Sequence, residues 1–308
     1  TNHVLGFEIV LADGSVEWLG TQPDGGEDVP GYDLRGAAIG CEGMFGVITR
    51  VLVRLMKKPA AFKTFLSIFE SVDDASQAVS DIIAAGIVPG ALEMMDQLIT
   101  QAIEEAYHFG FPLDAGAVLI VELDGLKDGV EEQGLHVEEI CKKNNAREVR
   151  IARDDTERAA LWKCRKRAFG AIGRLSPNYV TQDGVVPRSK LPEIMRFIST
   201  TSKKYDLRIP NVFHAGDGNI HPIILYDERQ PGEVERALSA GHEILDKCIA
   251  LGGSVTGEHG IGAEKIDFMP KQYSEADLEA MQTLRRAFDP KKLCNPHKMF
   301  PGSKRCAE

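Results

Sequence analysis

Val212-Phe213-His214-Ala215-Gly216-Asp217-Gly218-Asn219-Ile220-His221 reads as two short strands folded back on a glycine turn. Glycine and an Asp-Gly pair supply the positive φ that such a reversal needs. With Gly216 to Asn219 as a four-residue loop, His214 faces His221 directly across the pair. Opposed residues on one face have Cβ atoms ~4.5–5.5 Å apart, close enough for both imidazoles to reach one ion. Returns of this kind also decide the fold class. Short strands with helices between them, many returning as hairpins, predict an α+β chain whose sheet is largely antiparallel with helices packed on it.

A second histidine segment lies downstream, Gly252-Gly253-Ser254-Val255-Thr256-Gly257-Glu258-His259-Gly260-Ile261-Gly262. Adjacent residues in extended chain point opposite ways. On that reading Glu258 completes a metal site with His214 and His221, while His259 faces a substrate as general base. The competing reading is a polar turn with a helix-capping carboxylate. Two His-plus-glycine segments in one chain favour a shared site. Two histidines and a glutamate with a further His beside them would also suit a metal-dependent hydrolase, and a catalytically inert fragment or docking subunit is a third possibility.

Around these segments the pattern alternates. Strands are expected at Val4–Leu11 and Ser15–Leu19, joined by an Asp13-Gly14 turn, and a loop rich in Gly, Pro and Asp at Thr21–Gly31. Lys57-Lys58-Pro59 reads as a linker, dividing residues 1–57 from 58–308. Beyond it come a strand at Phe62–Phe69, a helix capped by Ser71 and stopped by Gly86, and a helix from about Leu92 to Phe109. A strand at Ala117–Leu123, a helix at Gly129–Asn144 and a strand at Glu148–Ala152 follow. Further helices are expected at 156–172, 191–205, 233–251 and 275–288, with strands at 179–186, 209–214 and 219–226.

A formal net charge of −10 argues against nucleic-acid binding, which depends on neutralising phosphates. No apolar stretch approaches the ~18 residues of a membrane span. Cys41, Cys141, Cys164, Cys248, Cys294 and Cys306 include no C-x-x-C pair, so reduced thiols and a cytoplasmic setting are expected. The opening Thr1-Asn2-His3-Val4 has no initiator Met and no signal pattern, and reads as a fragment. Gly40-x-x-Gly43-x-x-Gly46 precedes a strand rather than opening a helix, which rejects a dinucleotide fingerprint. Its amides could still lie against a flat ring or a pyrophosphate. The run Leu161-Trp162-Lys163-Cys164-Arg165-Lys166-Arg167 is a basic helix face, from which one Arg could hold a substrate carboxylate.

Glu42-Gly43-Met44-Phe45-Gly46-Val47-Ile48-Thr49 resembles the E-G-x-x-G-V-I-T segment of vanillyl-alcohol-oxidase-type flavin domains. The segments H-A-G-D-G-N-I-H-P (214–222), G-E-H-G-I-G (257–262) and F-D-P-x-x-L-x-N-P (288–296) resemble the C-terminal domain of FAD-linked oxidases acting on D-lactate, D-2-hydroxyglutarate and glycolate, the glycolate branch being nearest. The resemblance implies that residues 1–57 are the tail of a flavin-binding α+β domain and 58–308 the substrate and metal domain with a C-terminal return. It implies His214, His221 and Glu258 as ligands of one divalent metal, zinc or manganese, and His259 as the catalytic base. Arg165 falls at the substrate carboxylate, and Glu42, Gly43, Gly46, Val47, Ile48 and Asn295 at the FAD edge. Electrons would pass to partner oxidase subunits, one an iron–sulfur protein, and any membrane association would run through them. Three positions depart from the dicarboxylate-type pattern or its N-P-G-K ending: Ile223 for Asn, Thr181 near a substrate Lys, and His297 for Gly. The first two favour a small 2-hydroxy acid. The family's N-terminal pyrophosphate loop is absent, so the FAD site is incomplete in this chain.

Overall fold

A computed structural model describes residues 2–24, 26 and 30–302. Thr1, part of the Thr21–Gly31 loop and Cys306 lie outside them. The chain divides into two compact units, Thr1–Lys58 with Glu258–Glu308, and Pro59–Gly257.

The first unit begins with β1 (Val4–Val10) and β2 (Val16–Gly20). Asp13 accepts hydrogen bonds from the Ser15 amide and hydroxyl, and Gly14 takes φ +86°, so the expected turn forms. A short helix follows, α1 (Leu34–Ala38), then β3 (Val47–Val53), which lies antiparallel on the other side of β1. Phe7, Ile9, Ala38, Met44 and Phe45 form this unit's core. Strand β3 is an edge with exposed Val47, Val51 and Val53, and exposed Leu55 and Met56 follow it.

The second unit is built on a sheet in the order β7-β4-β6-β5-β10-β11-β9, every pair antiparallel. Its elements are β4 (Ala61–Phe69), α2 (Val72–Ala84), β5 (Ala91–Asp96), α3 (Gln97–Tyr107), β6 (Ala117–Gly125), α4 (Lys127–Lys143), β7 (Ala146–Ile151), α5 (Asp155–Ile172), β8 (Asn178–Thr181), β9 (Gly184–Val185), α6 (Leu191–Tyr205), β10 (Val212–His214), β11 (Asn219–Ile220), β12 (Ile223–Tyr226) and α7 (Glu233–Ala250). Alternation along β4 sends Phe65 and Phe69 into one core and Leu66 and Ile68 into the other. The sheet is therefore buried on both faces here, and β4 is less half-buried than its sequence suggests. Helices α3 and α5 cover the second face. Strands β8 and β12 pair separately.

Three expected elements differ. Leu92 to Asp96 is strand, not helix, because β5 is paired on both edges, with β6 and β10. The helix starts only where the Asp96 carboxylate accepts the Ile99 amide as an N-cap. The run 219–226 breaks after Ile220, where Pro222 has no amide to offer a ladder. The run 179–186 splits at Gln182-Asp183, so that its halves pair with different strands. The first unit closes with α8 (Met269–Gln272) and α9 (Glu275–Phe288), the latter started by a Ser274/Asp277 capping box.

Candidate active site

His214 pairs in register with Asn219, not with His221. The loop is Ala215 to Gly218, one residue earlier than the spacing suggests. Gly218 takes φ +73° and has no room for a side chain, since a Cβ would sit 2.1 Å from the Val186 carbonyl. His221 thus becomes a diagonal neighbour of His214, a relation in which side chains on one face still meet. The two rings lie edge-on with centroids 5.4 Å apart. Phe169 of α5 stands edge-on to His221, centroids 6.3 Å apart, closing one side.

Each imidazole is held through Nδ1 by a different kind of acceptor. His214 lies directly opposite Glu93 of β5, and its Nδ1 lies in hydrogen-bond contact with Glu93 Oε1 at 2.7 Å. The other carboxylate oxygen accepts from Arg165 Nε at 2.8 Å. Glu93 and Arg165 are both buried, at 8% and 7% exposure. His221 Nδ1 instead donates to the Gln182 carbonyl at 3.3 Å. In both rings this leaves Nε2 as the nitrogen that could reach a metal, the arrangement by which metal-binding histidines are usually oriented.

Asp183 organises the approach to the second histidine segment. Fully buried, it accepts from Asn219 Nδ2 at 2.8 Å, Thr256 Oγ1 at 2.7 Å and the Gly257 amide at 2.9 Å. A Cβ on Gly257 would meet Asn219 Nδ2 at 2.2 Å, which is why glycine stands before the acid.

In the first unit, Glu258 and His259 occupy a bend rather than extended chain. The bend brings consecutive side chains together: His259 Nε2 lies 3.7 Å from Glu258 Oε1. The expectation that they face opposite ways is corrected accordingly. The end of the segment is clamped by Glu42, whose carboxylate accepts the Ile261 and Gly262 amides at 2.7 and 2.8 Å. That carboxylate is placed by the resemblance on a flavin edge, but its hydrogen bonds are made within the protein. Asn295 donates from Nδ2 to the Glu42 carbonyl at 2.8 Å. It is held in turn by Arg285, which donates to the Cys294 and Asn295 carbonyls. A Cβ on Gly43 would meet Asn295 Nδ2 at 2.7 Å, and one on Gly46 the Val10 carbonyl at 2.4 Å. Both glycines thus have packing reasons of their own, while Val47 and Ile48 are exposed.

Of the three departures, Ile223 and Thr181 are register partners. Ile223 is fully buried in the core beneath α5, and His297 is exposed. The sequence reading misses Glu93, Gln182 and Asp183. The signal for Glu93 is an acid inside the apolar run Leu92-Glu93-Met94-Met95, legible only once that run is read as a strand opposite His214.

The chain is 46% identical over 307 residues to "Glycolate oxidase subunit GlcD" of Escherichia coli strain K12, covering 100% of this chain and 61% of that protein. It is 41% identical to the protein of that name in Bacillus subtilis, covering 97% and 63%. Identity to a probable mitochondrial D-lactate dehydrogenase of Danio rerio is 31%, covering 97% and 60%. The chain therefore spans less than two thirds of the length of these relatives. The fold matches a crystal structure of p-cresol methylhydroxylase with TM-score 0.74 at 19% identity, covering 96% of this chain and 65% of that one. The family described as "FAD linked oxidases, C-terminal domain" matches residues 58–299, and the chain belongs to it.

Proposed function

We propose that this chain is the substrate and metal half of an FAD-dependent oxidoreductase that converts a small 2-hydroxy acid, of glycolate or D-lactate type, to the 2-oxo acid. The observation that carries the reading is the pair of adjacent imidazoles, each oriented through Nδ1. Glu258, covalently next to the tethered Gly257, is assigned as the third ligand. His214, His221 and Glu258 would hold a divalent ion, zinc or manganese, which would supply Lewis-acid charge for ionising a bound hydroxyl.

The chain's own residues then have distinct tasks. His259 takes the hydroxyl proton as general base. Arg165 offers its terminal nitrogens to the substrate carboxylate; the bond to Glu93 uses only Nε of its five donors. FAD supplies the hydride acceptor, and the redox chemistry belongs to it. Gly43, Gly46, Val47, Ile48 and Asn295 are assigned to the flavin side, together with residues 1–57 as part of the flavin domain. The electrons continue to partner subunits of the oxidase, one an iron–sulfur protein. Among the described residues no helix is long and apolar enough to cross a membrane, so association with a membrane is assigned to those partners.

The test uses the full-length protein under anaerobic conditions with glycolate, D-lactate and D-2-hydroxyglutarate. Loss of oxidised-flavin absorbance with formation of the 2-oxo acid is expected for the first two and weaker for the third. Turnover of an ester or amide that survives removal of the flavin would overturn the reading in favour of metal-dependent hydrolysis.

A further inference from the structure

We infer that Glu93 is a positioning residue for His214: it fixes the imidazole with the proton on Nδ1 and links it to Arg165. The inference extends the proposed metal site, but its geometry stands without it. Glu93 and His214 are register partners on β5 and β10, so the sheet itself places the carboxylate beside the ring. The 2.7 Å contact joins Nδ1 to Oε1. An ionised carboxylate can only accept, so Nδ1 carries the proton.

The second oxygen explains how a carboxylate is kept at this depth. A buried charge requires a partner, and Arg165 donates to it from α5 with its side chain 9% exposed, against 10% for Glu93. His214, by contrast, is partly open, its side chain 35% exposed. The arrangement is thus a buried pair presenting one half-open imidazole. At His221, Nδ1 faces the Gln182 carbonyl at 3.3 Å and Asp183 Oδ1 at 4.0 Å. A carboxylate partner fixes the tautomer and orientation of a ring, and Glu93 stands in that place for His214. Through Glu93, the Arg assigned to the substrate carboxylate and the His assigned to the metal share one side chain. Displacement of either therefore disturbs the other.

Imidazole ¹⁵N spectra of the full-length protein, at a pH where His214 is neutral, test this directly, with His214→Ala identifying the signal. The metal-free wild type should show the Nδ1–H tautomer at His214. Glu93→Gln, which keeps the side chain's shape, should lose tautomer purity and bind manganese 10–100-fold more weakly. His214 found with its proton on Nε2, or Glu93→Gln binding manganese as the wild type does, would overturn the inference. A wild type that shows the Nδ1–H tautomer but takes up no metal would instead reject the metal reading and leave the positioning by Glu93 intact.

Discussion

His221 lies two residues beyond Asn219, the register partner of His214, and so meets His214 diagonally on one face of the sheet. A direct pairing would have put both rings at one level of the ladder. The diagonal instead lets each ring keep its own acceptor, Glu93 on one side and the Gln182 carbonyl on the other.

Asp183 makes the first prediction. Asp183→Ala leaves Asn219 Nδ2, Thr256 Oγ1 and the Gly257 amide without this acceptor. Asn219 Nδ2 keeps the Gly184 carbonyl and the Gly257 amide keeps the Asp183 backbone carbonyl, so the fold should lose about 1–3 kcal/mol, the scale of hydrogen bonds to one charged group. Urea denaturation measures the loss, and hydrogen exchange at the Gly257 amide should accelerate. Unchanged exchange there would show that Asp183 does not tether the segment.

Gly260 and Gly252 provide a matched pair. Both have positive φ, +86° and +81°, but a Cβ on Gly260 would meet the Glu42 carboxylate at 2.8 Å, whereas among the described residues nothing lies within 4 Å at Gly252. Alanine at Gly252 should cost only the left-handed strain, about 1–2 kcal/mol. Gly260→Ala should cost more, because it also disturbs the Glu42 hydrogen bonds to Ile261 and Gly262. Equal thermal shifts for the two variants would contradict the clamp.

Much of this was legible in the sequence, and the rest was not, for physical reasons. The Ser71 cap and the helix at 191–205 are local, set by side chain–backbone bonds and by period, and both appear as read. Strand β5 is non-local. Leu92, Met94 and Met95 favour helix as readily as strand, and only pairing with β6 and β10 decides. Because Glu93 is reached through that strand, the acceptor of His214 stayed hidden along with it. The metal-ligand candidates were visible because glycine spacing marked them. Asp183 was not, since its partners lie at positions 219, 256 and 257.

Asp96 gives a pH dependence. Burial pushes its carboxyl up to about 6 from the ordinary 3.8, against hydrogen bonds from Asn211 and Ile99 that favour the charge. The folded chain then holds this proton at pH values where the unfolded chain has lost it. Stability from Asp96 is full below about pH 4 and is lost as pH rises towards 6, by about 3 kcal/mol. Asp96→Asn should remove that slope. Urea midpoints of the two proteins that run parallel between pH 4 and 6 would contradict it.

In the proposed reaction metal ligation falls to Glu258 and proton abstraction to its neighbour His259, and one paired measurement on the full-length protein tests that division. Metal content and anaerobic flavin bleaching by glycolate are followed together in wild type, His214→Ala, Glu258→Gln and His259→Asn. Metal loss is expected in His214→Ala and Glu258→Gln. His259→Asn should keep full metal, with flavin reduction slowed ~10²–10⁴-fold, the usual contribution of a positioned base. His259→Asn that loses its metal, or that bleaches flavin at the wild-type rate, would contradict it.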